Sequence, residues 1–169
     1  MKNRLRETWN SGKPALNGWL GIPSTFSAEI MSKQDFDSIT IDLQHGLTDY
    51  SIAVPMMQAM SASDATMLCR VPWLEAGIIM KLLDAGAMGI ICPMINSRKE
   101  AEEFVGATRY APLGYRSSGP VRAGLIYPDY HNQANDQIIS LAMIETEEAV
   151  TNAEEICATP GLTGIYVGP

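Results

Sequence analysis

Apolar positions recur along this chain first with a period of two and then near 3.6, and the exchange repeats almost to its end. Short apolar runs at 16–22, 38–43, 66–71, 88–92, 138–144 and 164–167 predict β-strands. Helices are expected between them. Ser24 or Ser27 can cap one that runs to about Lys33. Ser51 can cap another to about Met60, with Pro55 falling in or near the first turn. Residues 74–85 are apolar at helical spacing and stop at Gly86, a suitable C-terminal glycine. Ser97-Arg98-Lys99-Glu100 is a capping-box pattern that opens a helix to about Thr108. Thr146-Glu147-Glu148 opens another, its acids matching the positive end of the helix dipole, and this helix ends before Pro160-Gly161.

Strands that alternate with helices imply a parallel sheet covered by helices, an α/β fold. No Gly-x-Gly-x-x-Gly follows the first strand and no phosphate-loop glycine-lysine motif occurs, so nucleotide-binding doubly wound folds lose their main support. A (β/α)8 TIM barrel is the better choice. Such a barrel needs roughly 200 residues or more. The 169-residue chain reads as one domain, 1–169, with about six βα units. The expectation is therefore an incomplete barrel, C-terminally truncated, that lacks its last strands and C-terminal helices. A naturally smaller α/β domain is the alternative. One connection is long: 109–124, rich in Gly, Pro and Arg, continuing through Tyr127-Pro128-Asp129-Tyr130. Its arginines suit an ordered loop that closes over an anionic ligand, or a surface loop held by arginine–carbonyl bonds.

Composition narrows the classes. Hydrophobic content of 46% is ample for a core, and a net charge of −7 leaves no basic stripe for nucleic acid. The apolar runs are too short and interrupted to cross a bilayer, and the N-terminus has no apolar signal core, so a cytoplasmic protein is expected. Cys69, Cys92 and Cys157 make an odd number without paired spacing, which suits buried reduced thiols.

The strand ends carry the candidate chemistry. Segment 38–43 places Ser38, Thr40 and Asp42 on one face and runs into Gln44-His45-Gly46. Reactive groups gather at the carboxyl ends of parallel strands. Asp42 can hold an ion or orient its neighbours, and His45 can move a proton near neutral pH. An ordinary strand and polar turn would show the same pattern. Arg70 closes the third strand and can bind a carboxylate with its fork. Glu145 closes the fifth and can ligate a divalent cation, or simply stabilise the first turn of the next helix. Asp84 lies in the last turn of a helix, where the dipole disfavours an anion. A carboxylate able to reach His45 would raise its basicity. His131 lies in a polar stretch and is expected to be exposed.

In order along the chain stand Ile41-Asp42-Leu43-Gln44-His45-Gly46, Arg70, Ala85-Gly86-Ala87 with Pro93-Met94, then 109–116, Ile144-Glu145-Thr146 and Val167-Gly168-Pro169. This set resembles the HpcH/HpaI-type class II pyruvate aldolases, the 4-hydroxy-2-oxo acid aldolases. The resemblance implies a TIM-barrel lyase, hexameric at full length, that uses Mg2+, Mn2+ or Co2+. It implies reversible cleavage of a 4-hydroxy-2-oxo acid to pyruvate and an aldehyde. By analogy His45, assisted by Asp84, is the acid/base and acts through a metal-bound water on the C4 hydroxyl. Arg70 stabilises the enolate oxygen, Glu145 ligates the metal, and Asp42 and Gln44 stand in the shell behind the metal or base. Arg116, Gly168 and Pro169 are candidate substrate-binding residues. The second metal-ligating aspartate would follow Pro169 by a few residues. Two positions depart from the family: Met143 stands where a glutamine is usual, and Ser117 where a glycine is. Alternatives are a catalytically impaired assembly subunit, or a lyase acting on coenzyme A thioesters, as in the citrate lyase β-subunit and malyl-CoA lyase relatives.

Overall fold

A computed structural model of the chain describes residues 1–168. Six strands, β1 (Asn17–Leu20), β2 (Ser38–Asp42), β3 (Thr66–Arg70), β4 (Gly89–Cys92), β5 (Ile139–Ile144) and β6 (Gly164–Val167), form one sheet in sequence order. Every neighbouring pair is parallel. All six coincide with the segments read from the apolar runs, within two residues at either end. The sheet curls: Trp19 on β1 and Tyr166 on β6 lie on the two outermost strands, yet their ring centroids are 5.7 Å apart. The described residues thus build five βα units and a sixth strand of the barrel type expected.

Alternation explains the two faces. Ile39, Ile41, Cys69, Ile90, Cys92, Ala142 and Ile144 face outward into one core shared with the helices. Those helices are α2 (Thr25–Ser32), α3 (Tyr50–Met60), α4 (Ala76–Asp84), α5 (Arg98–Thr108), α8 (Glu147–Thr151) and α9 (Ala153–Cys157). The inner face is partly polar: Ser38 and Thr40 donate to Asn17 Oδ1 at 2.9 and 3.1 Å. A helix absent from the apolar pattern, α1 (Arg4–Asn10), plugs the N-terminal end of this interior. Its Leu5 packs on Leu68 and Ile139, and the Leu5 amide donates to Thr66 Oγ1 at 3.0 Å. One buried apolar residue in seven gives no helical period, so only the Asn3 cap could have signalled it.

Several local expectations change. Asp49, not Ser51, caps α3, which puts Pro55 in the second turn rather than the first. The Ser51 carbonyl loses its helical donor there, and Ser51 is exposed to water. Glu100 does reach back at Ser97, but to the Asn96 amide (2.8 Å) and the Ser97 hydroxyl (3.0 Å). The single helix expected after Thr146 is two short ones that break at Asn152. Cys69 and Cys92 are buried as expected, whereas Cys157 is exposed. Burial pushes the Cys69 thiol up to about 12, which removes it as a nucleophile.

The long connection differs most. It contains α6 (Val121–Ile126) and α7 (Tyr130–Gln137). Because α5 runs back from the end of β4 to the start of β5, residues 109–137 lie at the N-terminal ends of the strands. They are fixed there: Arg109 donates to Ile138 O and Gly161 O at 3.1 and 3.0 Å, and the Tyr127 hydroxyl to Gly86 O at 3.1 Å. The arginine–carbonyl reading holds, and the segment is not a lid over the carboxyl ends. Among the described residues no helix is long and apolar enough to cross a membrane.

Candidate active site

The register that pairs Asp42 with Arg70 across β2 and β3 brings both side chains to the carboxyl end of the sheet. Arg70 Nε donates to Asp42 Oδ1 at 2.8 Å and Nη2 to Oδ2 at 2.7 Å, a two-pronged ion pair. Asp42 Oδ1 also accepts the backbone N–H of Gln44 (3.0 Å) and of His45 (3.3 Å). Burial works to raise the Asp42 pKa. The Arg70 hydrogen bonds and charge, with the two amides, outweigh it and hold the carboxyl at about 2. Asp42 is therefore a fixed anion that orients Arg70 and folds the loop carrying His45. Its carboxylate is fully engaged.

That engagement uses one edge of the guanidinium. The other edge, Nη1 and the remaining Nη2 proton, has no acceptor among the described residues. Glu145 stands at the same mouth, close enough that its charge adds to those raising the Arg70 pKa, the Asp42 hydrogen bond being the largest. Glu145 Oε1 accepts the Met94 amide at 2.7 Å. Met94 presents that amide from a left-handed backbone, φ 56°, which costs an unbranched side chain on the order of 1 kcal/mol. Loops after β4 and β5 are tied together by the Asn152 amide donating to Asn96 O at 2.8 Å. Glu145 is thus held by structure on two strands.

His45 is exposed at this end, its ring without a hydrogen bond among the described residues. The Gln44 side-chain Oε1 is buried and unpartnered. Gly46 is needed for close approach, because a Cβ there would lie 2.3 Å from the Asp42 carbonyl oxygen. Gly46→Ala is expected to cost about 1–3 kcal/mol in thermal unfolding and to lower activity with it. Gly168 donates to Ile144 O at 3.2 Å. A Cβ on it would stand 3.3 Å from Glu145 Oε2, so glycine keeps that carboxylate's flank open. Pro169 lies outside the described residues.

Two expected site residues are placed elsewhere. Asp84 ends α4, which runs antiparallel to the strands and finishes beside the start of β4. His45 follows the opposite end of β2, on the order of 15 Å away along the strands. Asp84 Oδ1 instead accepts Arg116 Nη2 at 2.6 Å. The intrachain pair with His45 is not formed. Arg116 is likewise not a substrate ligand at this mouth. Its side chain is fully buried, donates to the Tyr130 hydroxyl at 2.9 Å and lies over the Tyr110 ring at 4.5 Å. That cation also explains the acid in the last helical turn, where the dipole alone disfavours it. His131 is exposed as expected, its ring tilted by 31° against that of Tyr110 with centroids 4.7 Å apart. Trp19 and Met94, by contrast, join the site without having been singled out. An inward-facing aromatic near a strand end was a usable signal for Trp19, and nothing marked Met94 for positive φ.

The HpcH/HpaI aldolase/citrate lyase family profile matches residues 18–169. The chain belongs to this family. It is 44% identical over 168 residues to a hydroxypyruvate/pyruvate aldolase of Rhizorhabdus wittichii, covering 99% of this chain and 67% of that protein. It is 35% identical over 173 residues to a 4-hydroxy-2-oxo-heptane-1,7-dioate aldolase of Salmonella paratyphi C, covering 100% and 66%. A crystal structure of an HpcH/HpaI aldolase/citrate lyase family protein from Burkholderia cenocepacia superimposes with a TM-score of 0.91 at 28% identity, covering 99% of this chain and 69% of that one. The chain thus spans about two thirds of the length of its relatives. Those relatives are carbon–carbon lyases.

Proposed function

We propose that this chain carries the catalytic mouth of a divalent-metal-dependent aldolase that reversibly cleaves a 4-hydroxy-2-oxo acid to pyruvate and an aldehyde. The observation that carries the reading is Arg70: locked to Asp42 on one edge, it keeps its other edge without an acceptor among the described residues, at the carboxyl end of the sheet where Glu145 and His45 also stand. The aldolase names of two relatives support the reaction class. The enzyme is read as cytoplasmic and homo-oligomeric, with small-molecule partners.

The residues present fit a hard divalent cation. Glu145 Oε1 is fixed by the Met94 amide, Oε2 has no donor among the described residues, and Gly168 leaves its flank bare. Glu145 would hold the ion, and the second carboxylate lies outside the described residues. Mg2+, Mn2+ or Co2+ would act there as a Lewis acid on the 2-oxo acid. The chain's own residues supply the rest. His45 accepts the C4-hydroxyl proton, the C3–C4 bond breaks, and the aldehyde departs. The bond's electron pair passes into the 2-oxo group as an enolate, whose oxygen meets the open edge of Arg70. Protonation at C3 then gives pyruvate.

The test is pyruvate release, coupled to lactate dehydrogenase, from a panel of 4-hydroxy-2-oxo acids with Mn2+ or with EDTA. Release is expected with Mn2+ only, and His45→Ala should lower it by about a hundredfold or more. Cleavage of a 3-hydroxyacyl-coenzyme A thioester to acetyl-CoA and an oxo acid, followed in parallel by chromatography, without any cleavage of the free acids would move the assignment to the citrate lyase-like branch. No release from either class, with Mn2+ bound, would sink the aldolase reading.

A further inference from the structure

Trp19 has no part in the scheme above, yet it touches each component of the Arg70 assembly. Its ring lies under the Arg70 guanidinium, 4.9 Å from centroid to Cζ, inside the roughly 6 Å reach of a cation–π contact. Its Nε1–H donates to Asp42 Oδ2 at 3.4 Å. The Tyr166 ring lies beside it, tilted by 37° with centroids 5.7 Å apart. Tyr166, Trp19, Arg70 and Asp42 therefore form a continuous chain of contacts across the curled sheet, from β6 and β1 to β3 and β2.

We propose that Trp19 is a positioning residue for the aldol reaction, fixing the plane of Arg70 so that its open edge stays aimed at the enolate oxygen. The proposal rests on the reading of Arg70 as the enolate-binding group. The reason is geometric. Two hydrogen bonds to Asp42 fix the guanidinium within the plane of the fork, but they resist tilting out of that plane only weakly. A ring face beneath the cation blocks the tilt on one side, and indole is the strongest aromatic partner for it. Arg70 is only 12% exposed, so the contact is partly desolvated and little screened. Tyr166 packs against the same indole and limits its freedom to move.

The test compares Trp19→Phe and Trp19→Leu, each checked for folding by thermal unfolding. One readout is independent of activity: the Nε–H signal of Arg70 in 15N-arginine-labelled protein, assigned by its absence in Arg70→Lys. In Trp19→Leu this signal should shift and broaden, and kcat should fall about tenfold with little change in KM. Trp19→Phe keeps a ring face and should recover much of both. An unmoved Arg70 signal in Trp19→Leu overturns the proposal, and so does a moved signal with unchanged kcat. If the unsubstituted protein with Mn2+ bound releases no pyruvate, the aldolase reading fails, while the Arg70 signal still decides whether Trp19 holds the guanidinium.

Discussion

Replacing Arg70 with alanine is expected to lower pyruvate release by about a hundred- to a thousandfold, the range for removing one preorganised donor from a developing oxyanion. Arg70→Lys should recover little, because a point ammonium cannot hold Asp42 with two parallel bonds and present a second edge at the same time. The alanine variant should also be less stable, by about 3 kcal/mol, because Asp42 is left buried without its cation. The acid limb of stability should change in a definite direction. In the unsubstituted protein Asp42 has a folded-state pKa of about 2 against an ordinary 3.8. A depressed carboxyl contributes stability that is fully present above the unfolded value and lost as pH falls through the folded one. That contribution, about 1–2 kcal/mol after solvent screening, should fade between about pH 4 and pH 2. In Arg70→Ala the fall across this window should flatten. Denaturant unfolding at a series of pH values measures it, and an unchanged acid limb would show that the ion pair does not govern Asp42.

Glu145→Gln should have an effect of similar size by a different route. Glutamine keeps the shape and can still accept the Met94 amide through its carbonyl oxygen, so the fold should be retained. It removes the anionic donor facing Gly168. Mn2+ affinity, measured by titration calorimetry, should fall about a hundredfold or more, and metal-dependent pyruvate release should fall with it. Unfolding within about 1 kcal/mol of the parent would separate this loss from damage to the scaffold. Wild-type Mn2+ affinity in this variant would remove Glu145 from the metal site.

The sequence alone determined the sheet. Six apolar runs of strand length with helical spacing between them specify a parallel α/β array, because each face must be buried and a helical crossover returns the chain to lay the next strand beside the last. It also placed Asp42, Arg70 and Glu145 at strand ends, since a period of two fixes which residues share the inner face. The tertiary structure decided what those residues do for one another. Adjacent register turned Asp42 from a possible ion ligand into the clamp on Arg70. The direction of α4 carried Asp84 to the far end of the sheet, where Arg116 neutralises it, a fact no local pattern encodes because it depends on the sense of a crossover. Curling brought Trp19 and Tyr166 together from strands separated by the whole sheet. A backbone amide from Met94 fixed Glu145 through a left-handed conformation that methionine does not advertise. Strand identity is local physics and survives in the sequence; mutual aim within the site comes from register, crossover and curvature, which appear only when the chain is folded.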